Sequence, residues 1–315
     1  MLKKEDRWLR ETYVDLLIEQ AAKDERIVLL EADLSKAAGT GRFKEAYPDR
    51  LINVGIAEAN MVGVAAGMSA MGKIPFTHTF TAFATRRCCD QVTLSVAYAG
   101  LNVKLMGSDP GVTAELNGGT HMSMEDISIM RNIPGMTIYE PVDSAQLKKI
   151  FPQIVAAPGP VYIRLLRRNA VEIFNDSQEF TLGKGTMIKE GSDVTILCSG
   201  IMAAESIKAA EMLKNDGIDA EIINIHTIKP LDVQMVAKSA KKTGAVVTAE
   251  NHSVIGGLGS TVSEALSETY PVPVRRVGIN DHFGEVGLTD FLMEKYGLTA
   301  EHIAAEAKKA IELKR

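Results

Sequence analysis

No stretch of this chain approaches the roughly 18 consecutive apolar residues that cross a bilayer, and its start shows no basic segment followed by the apolar core of a secretory signal. The expected compartment is therefore the cytoplasm. Cysteine is scarce. Cys88, Cys89 and Cys198 offer no CxxC spacing, and the adjacent pair would close only a strained disulfide, so all three read as buried thiols. Neither sign of charge dominates: 35 basic and 40 acidic residues are interspersed for a net charge of −5. Without a basic tract, neither nucleic acid nor an anionic membrane is an expected partner.

What remains is ordinary globular composition, 46% hydrophobic and 24% charged, over 315 residues, a length that favours two domains. Apolar positions from Glu5 to Ala22 recur at helical spacing, and RIVLLEADLS then reads as a strand. The alternation continues through RLINVGI, the helix after Glu58, KIPFTHTF, a helix from Val92 to Ala97, LNVKLMGS, a helix after His121, MTIYEPV, a helix from Asp143, and PVYIRLL. Strands apolar throughout and separated by helices predict a mostly parallel sheet flanked by helices. Between Asn169 and Asp193 the pattern fades into a linker with a hairpin-like segment. VTILCSG, AEIINIHTIKP, AVVTAENHS and PVRRVGI then alternate with helices in a second, smaller α/β unit. The expected domains are 1–175 and 185–315.

One carboxylate stands out. In NVGIAEANMVGVAAGM, Glu58 opens a run of Ala, Gly, Val and Met, where a poorly solvated carboxylate either finds a partner or takes up a proton. A half-exposed glutamate at a helix N-terminus is the competing reading. Asp33, Glu58, Phe80 with Phe83, and His121 all follow strand ends. In a parallel sheet those ends share the edge where ligands bind. Taken singly, the phenylalanines also read as core and His121 as a structural hydrogen-bond donor. IGGLGSTVSEAL matches a dinucleotide loop only weakly, because Val262 stands at the third glycine position.

As a set these residues are more specific. NVGIAEANMVGVAAGMSAMGKIPFTHTFTAFATRRCCDQV and GGTHMSMEDISIMRNIPGMTIYEPVD resemble the pyrimidine-binding domain of transketolases, with deoxyxylulose-phosphate synthase a cousin. ENHSVIGGLGSTVSEAL and INDHFGEVG resemble the C-terminal domain of the same family. The resemblance implies thiamine diphosphate as cofactor and transfer of a two-carbon ketol unit from a ketose to an aldose. It makes Glu58 the partner of the aminopyrimidine N1′, with a raised pKa, and Phe80 and Phe83 the walls of the pyrimidine pocket. His121 would touch substrate hydroxyls and Asp33 would support the cofactor region. Arg10 and Arg167 resemble the phosphate-binding arginines, and their forks suit phosphate, sulfonate or carboxylate.

The family's GDG segment is absent. The resemblance therefore implies an N-terminal partner subunit that holds the diphosphate and a divalent metal such as Mg2+, this chain supplying no metal ligand. It also implies self-association through the pyrimidine domains, as in a heterotetramer, with His252 and DHFGEVG building subunit contacts. Three positions depart from the pattern. Asp109 and Asn117 replace a histidine and an acid, and Arg86 replaces an aromatic residue. An acid at position 109 would repel a phosphate, which points toward a modified or unphosphorylated sugar. Alternatives are the beta subunit of an oxo-acid dehydrogenase or ferredoxin oxidoreductase, and a non-catalytic assembly subunit.

Overall fold

The computed structural model describes residues 2–314. Six strands of the first half are β1 (Ile27–Glu31), β2 (Leu51–Asn53), β3 (Ile74–Phe80), β4 (Lys104–Ser108), β5 (Thr137–Tyr139) and β6 (Val161–Leu165). The second half adds β7 (Thr186–Lys189), β8 (Val194–Cys198), β9 (Ala220–Asn224), β10 (Thr227–Lys229), β11 (Val246–Ser253) and β12 (Val274–Ile279). The first sheet runs β10-β5-β6-β4-β3-β1-β2 and the second β12-β11-β8-β9-β7. All pairings are parallel except those of the two edge strands β10 and β7.

Every residue of β1, β4, β6, β8 and β9 is buried, because helices cover both faces of each sheet. On one face of the first sheet Leu9, Tyr13 and Leu17 of the helix Leu9–Lys23 join Leu29, Phe76, Phe151 and Ile163; on the other, Met61 and Val62 join Leu30, Leu105 and Tyr162. Each such side chain contributes about 1.5–3 kcal/mol by leaving water. Asp143, Asp232 and Thr299 cap the helices that follow them, accepting from the backbone N–H three residues on.

Two local expectations fail. AEIINIHTIKP is not one strand: β9 stays in the second sheet, while β10 crosses to pair antiparallel with β5. That covers the open edge of β5, whose N–H and C=O groups would otherwise lack partners. The linker holds no hairpin of its own, since β7 pairs with β9. Val92–Tyr98 is a π-helix, and an unanticipated helix lies at Thr289–Tyr296.

The two units are bolted together by buried polar groups. Arg164, on β6 and fully buried, donates from Nε to Asp126 Oδ2 at 2.7 Å, from Nη2 to the Asn251 carbonyl at 2.6 Å, and from Nη1 to Glu140. His252, expected at a subunit contact, is instead buried inside the chain, its Nδ1 2.7 Å from the Ser253 carbonyl oxygen. Its ring therefore has no surface to offer another subunit. Among the described residues no helix is long and apolar enough to cross a membrane.

Candidate active site

Glu58 is the first residue of the helix Glu58–Ala70, which begins just past β2. Met61, Val62, Ala65 and Ala66 bury one side of that helix, and the turn that enters it leaves the Glu58 carboxylate only 3% exposed. The carboxylate has found a partner: Arg87 Nη1 donates to Glu58 Oε1 at 2.8 Å. The Arg87 guanidinium also lies 3.7 Å from the centre of the Phe83 ring, a cation–π stack.

Phe80 ends β3 and Phe83 lies one turn on, in the short helix Thr81–Ala84. Ring centroids are 6.0 Å apart for Phe80–Phe83, 5.9 Å for Phe80–His121 and 5.1 Å for Phe83–His121, all edge-on. Both phenylalanines keep part of their surface exposed, as pocket walls do and core residues do not. His121 lies beyond the loop that follows β4, its Nδ1 2.9 Å from Thr120 Oγ1. Arg86 fastens this loop by donating to Glu125 Oε1 at 2.7 Å and to the Thr120 carbonyl at 3.4 Å. The departure at position 86 thus braces the His121 loop. Asn117 is exposed at the loop's tip.

A second, strongly basic depression adjoins the first through Arg167, whose guanidinium sits 5.7 Å from the Phe80 ring centre. Arg10, Lys36, Arg167 and Arg168 line it with Trp8 and Asp33. Arg10 stacks on Trp8 at 4.2 Å and donates through Nη1 to the Ala37 carbonyl, while its buried Nε has no partner. Burial and then Arg167 hold the Arg10 pKa below its usual range. Two guanidinium groups that repel each other, with unmet donors, suit an anion. Asp33 belongs to this depression, tied to Asn53 Nδ2 at 3.1 Å in a left-handed conformation with φ of 60°.

Asp109, expected from the sequence among the substrate-binding residues, does not face the depression. It is fully buried behind Arg167, its Oδ2 3.0 Å from Arg167 Nε but out of line for a hydrogen bond. Burial pushes its carboxyl up to about 6, against the opposing pull of Arg167, Arg168 and Arg10. Beneath the same floor, burial lowers His78 to about 3, helped by Arg10 and Arg167, and raises Glu31 to about 8, so both are neutral near pH 7. Sequence reasoning missed Arg87, Lys36, Arg168 and Trp8. The four-residue spacing from Phe83 to Arg87 was the available signal.

Residues 8–171 match the transketolase pyrimidine-binding domain and residues 183–303 the transketolase C-terminal domain. The chain is similar to a 6-deoxy-6-sulfo-D-fructose transketolase subunit, SqwH, of Clostridium sp. (strain MSTE9), 67% identical over 99% of this chain and 97% of the relative. A putative transketolase C-terminal section of Methanocaldococcus jannaschii is 42% identical over 94% of both chains, and 1-deoxy-D-xylulose-5-phosphate synthases are related as well. Among solved structures, a split-gene transketolase described as an inactive beta4 tetramer is 46% identical with a TM-score of 0.90, covering 98% of this chain and 99% of that one.

The chain belongs to the transketolase family. Within it, this is the C-terminal half of a thiamine-dependent enzyme, a transketolase-type transferase. The residues fit the pyrimidine end of thiamine diphosphate: a buried carboxylate beside a partly exposed aromatic face, with a cation now lying across both. Among the described residues no three His, Cys, Asp or Glu side chains cluster as metal ligands.

Proposed function

We propose that this chain is one subunit of a split transketolase whose donor is a ketose carrying a sulfonate at the end remote from its carbonyl. The single observation behind the catalytic half of this reading is the grouping of Glu58, Phe80, Phe83 and His121 beyond the carboxyl ends of β2, β3 and β4. When bound, thiamine diphosphate supplies a nucleophilic carbon and an electron sink. Glu58 would hold the pyrimidine N1′ through its carboxyl group, donating and sharing a proton there. Phe83 and Phe80 would line the pocket that holds the ring. Thr120 holds His121 Nδ1, which leaves Nε2 to meet a substrate hydroxyl and steady developing negative charge.

The basic depression supports the choice of donor. Arg10 and Arg167 present the planar donors that a sulfonate accepts, and a relative with 67% identity is named for a sulfonated fructose. An N-terminal partner subunit holds the diphosphate and a divalent ion such as Mg2+. The lack of a GDG segment and the near full-length match to a protein named as a subunit support this. Ile56, Met71, Leu94 and Tyr98, on and around the helix Glu58–Ala70 and Val92–Tyr98, leave an apolar face exposed, which supports pairing of two such subunits in a heterotetramer.

The test is to co-express the chain with a GDG-containing N-terminal subunit and measure ketol transfer from 6-deoxy-6-sulfofructose, fructose 6-phosphate and fructose. The sulfonated ketose is expected to give the highest kcat/KM, and Glu58→Gln to lower turnover by about 100-fold or more. A preference for the phosphate ester would remove the sulfonate reading. Full activity of Glu58→Gln would remove the catalytic one.

A further inference from the structure

The segment from Asp109 to Met124 carries Asp109 and His121, yet its apolar side chains Val112, Ala114, Met122 and Met124 are buried in the core of the second unit. Several polar contacts hold it, among them Asp109 N to the Leu165 carbonyl and Thr289 to Glu115, and one group that grips its first turn is Asn251, near the end of β11 and buried. Val112 N donates to Asn251 Oδ1 at 3.0 Å, and Asn251 Nδ2 donates to the Pro110 carbonyl at 3.0 Å. One side-chain amide thus brackets Gly111 as a neighbouring strand would. Any Cβ at Gly111 would collide with it.

The bracket is anchored in both sheets, because the Asn251 carbonyl accepts from Arg164 on β6 and β6 pairs with β4. What it holds is a left-handed turn. Asp109 has φ of 58°, a region that outside glycine suits chiefly Asp and Asn, and Gly111 has φ of 53°. The Asp109 carboxylate reaches Arg167 from this left-handed position. Relaxation of the loop would withdraw it.

We propose that Asn251 is a positioning residue for the anion-binding end of the site: by bracketing Pro110–Val112 it holds Asp109 behind Arg167 and so sets where Arg167 meets the charged end of the donor. The second unit supplies none of the residues lining the basic depression, and this amide is one of the contacts through which it bears on the loop that reaches it. The inference rests on the reading of Arg10 and Arg167 as the anion site.

The experiment compares wild type, Asn251→Ala and Gly111→Ala, each assembled with the N-terminal subunit, on 6-deoxy-6-sulfofructose and fructose. The ratio of kcat/KM for the sulfonated ketose to that for fructose is expected to fall about tenfold in both variants, carried by KM, as loss of two buried hydrogen bonds allows. Hydrogen exchange at residues 111–115 should speed up in parallel. Gly111→Ala disturbs the same bracket from the loop side and serves if Asn251→Ala does not fold. A wild-type enzyme that does not distinguish the two ketoses refutes the anion-site reading and this inference with it. A wild-type preference that both variants retain refutes the role of Asn251 alone.

Discussion

Arg87 covers Glu58: its Nη1 donates to the carboxylate at 2.8 Å while its guanidinium lies across the Phe83 ring at 3.7 Å. A guanidinium is flat and cationic, points N–H groups at a carboxylate and stacks on an aromatic face. An aminopyrimidine ring sharing a proton with Glu58 presents the same features. On the proposed role of Glu58, Arg87 occupies the place of that ring in the chain by itself.

Binding of the cofactor then displaces Arg87, and Arg87→Ala is expected to tighten thiamine diphosphate binding by the assembled enzyme. The gain should reach at most about fivefold, because a pair with one partner half exposed is worth about 0–1 kcal/mol. Calorimetric titration of enzyme stripped of cofactor checks it. Weaker binding by the variant would mean that Arg87 stays beside the ring and assists it.

Asp109 makes stability depend on pH in a defined direction. Its carboxyl is raised from 3.8 to about 6 by burial, so between those values the native state keeps a proton that the unfolded chain has released. Stability from this group is therefore present at low pH, falls as pH rises through that window, and stays lost above it. Asp109→Asn should raise the Tm relative to wild type at pH 7.5, and the gap should shrink toward pH 4. Melts of both proteins at the two pH values decide it, and a gap that does not change with pH would contradict the assignment.

Arg164 is the buried cation that two buried acids, Asp126 and Glu140, depend on. Arg164→Leu leaves both uncompensated inside the protein and is expected to cost about 3–5 kcal/mol. Urea unfolding would show a large fall in midpoint. A variant within about 1 kcal/mol of wild type would mean that the acids simply take up protons.

Tyr98 is 89% exposed beside an apolar helix face. Tyr98→Asp is expected to leave the monomer fold intact and to weaken self-association, read as a smaller mass in sedimentation at micromolar concentration. An unchanged mass would place the contact elsewhere.

Much of the fold was legible because a buried strand writes itself as an unbroken apolar run. RIVLLE, VYIRL and VTILC appear in the structure as β1, β6 and β8. What failed was local in sequence but decided at a distance. The split of AEIINIHTIKP depended on the open edge of β5, and the burial of His252 on how the second unit sits against Asp126 and Ser128. The site shows the same division. Glu58, Phe80, Phe83 and His121 could be named because each has a distinctive neighbourhood in the chain. Arg87, Lys36, Arg168 and Asn251 could not, since arginine, lysine and asparagine are common on any surface.

By itself the sequence determined most of the order of strands and helices, two mostly parallel α/β units, and which side chains stand at strand ends. These follow from hydrophobic periodicity, which is a property of consecutive residues. Only the tertiary structure decided that Glu58 is held by Arg87, that Asp109 lies behind Arg167, and that Asn251 reaches across 139 positions to the backbone of Val112. Charge pairing and burial depend on distances through space, and these exist only once both sheets have packed.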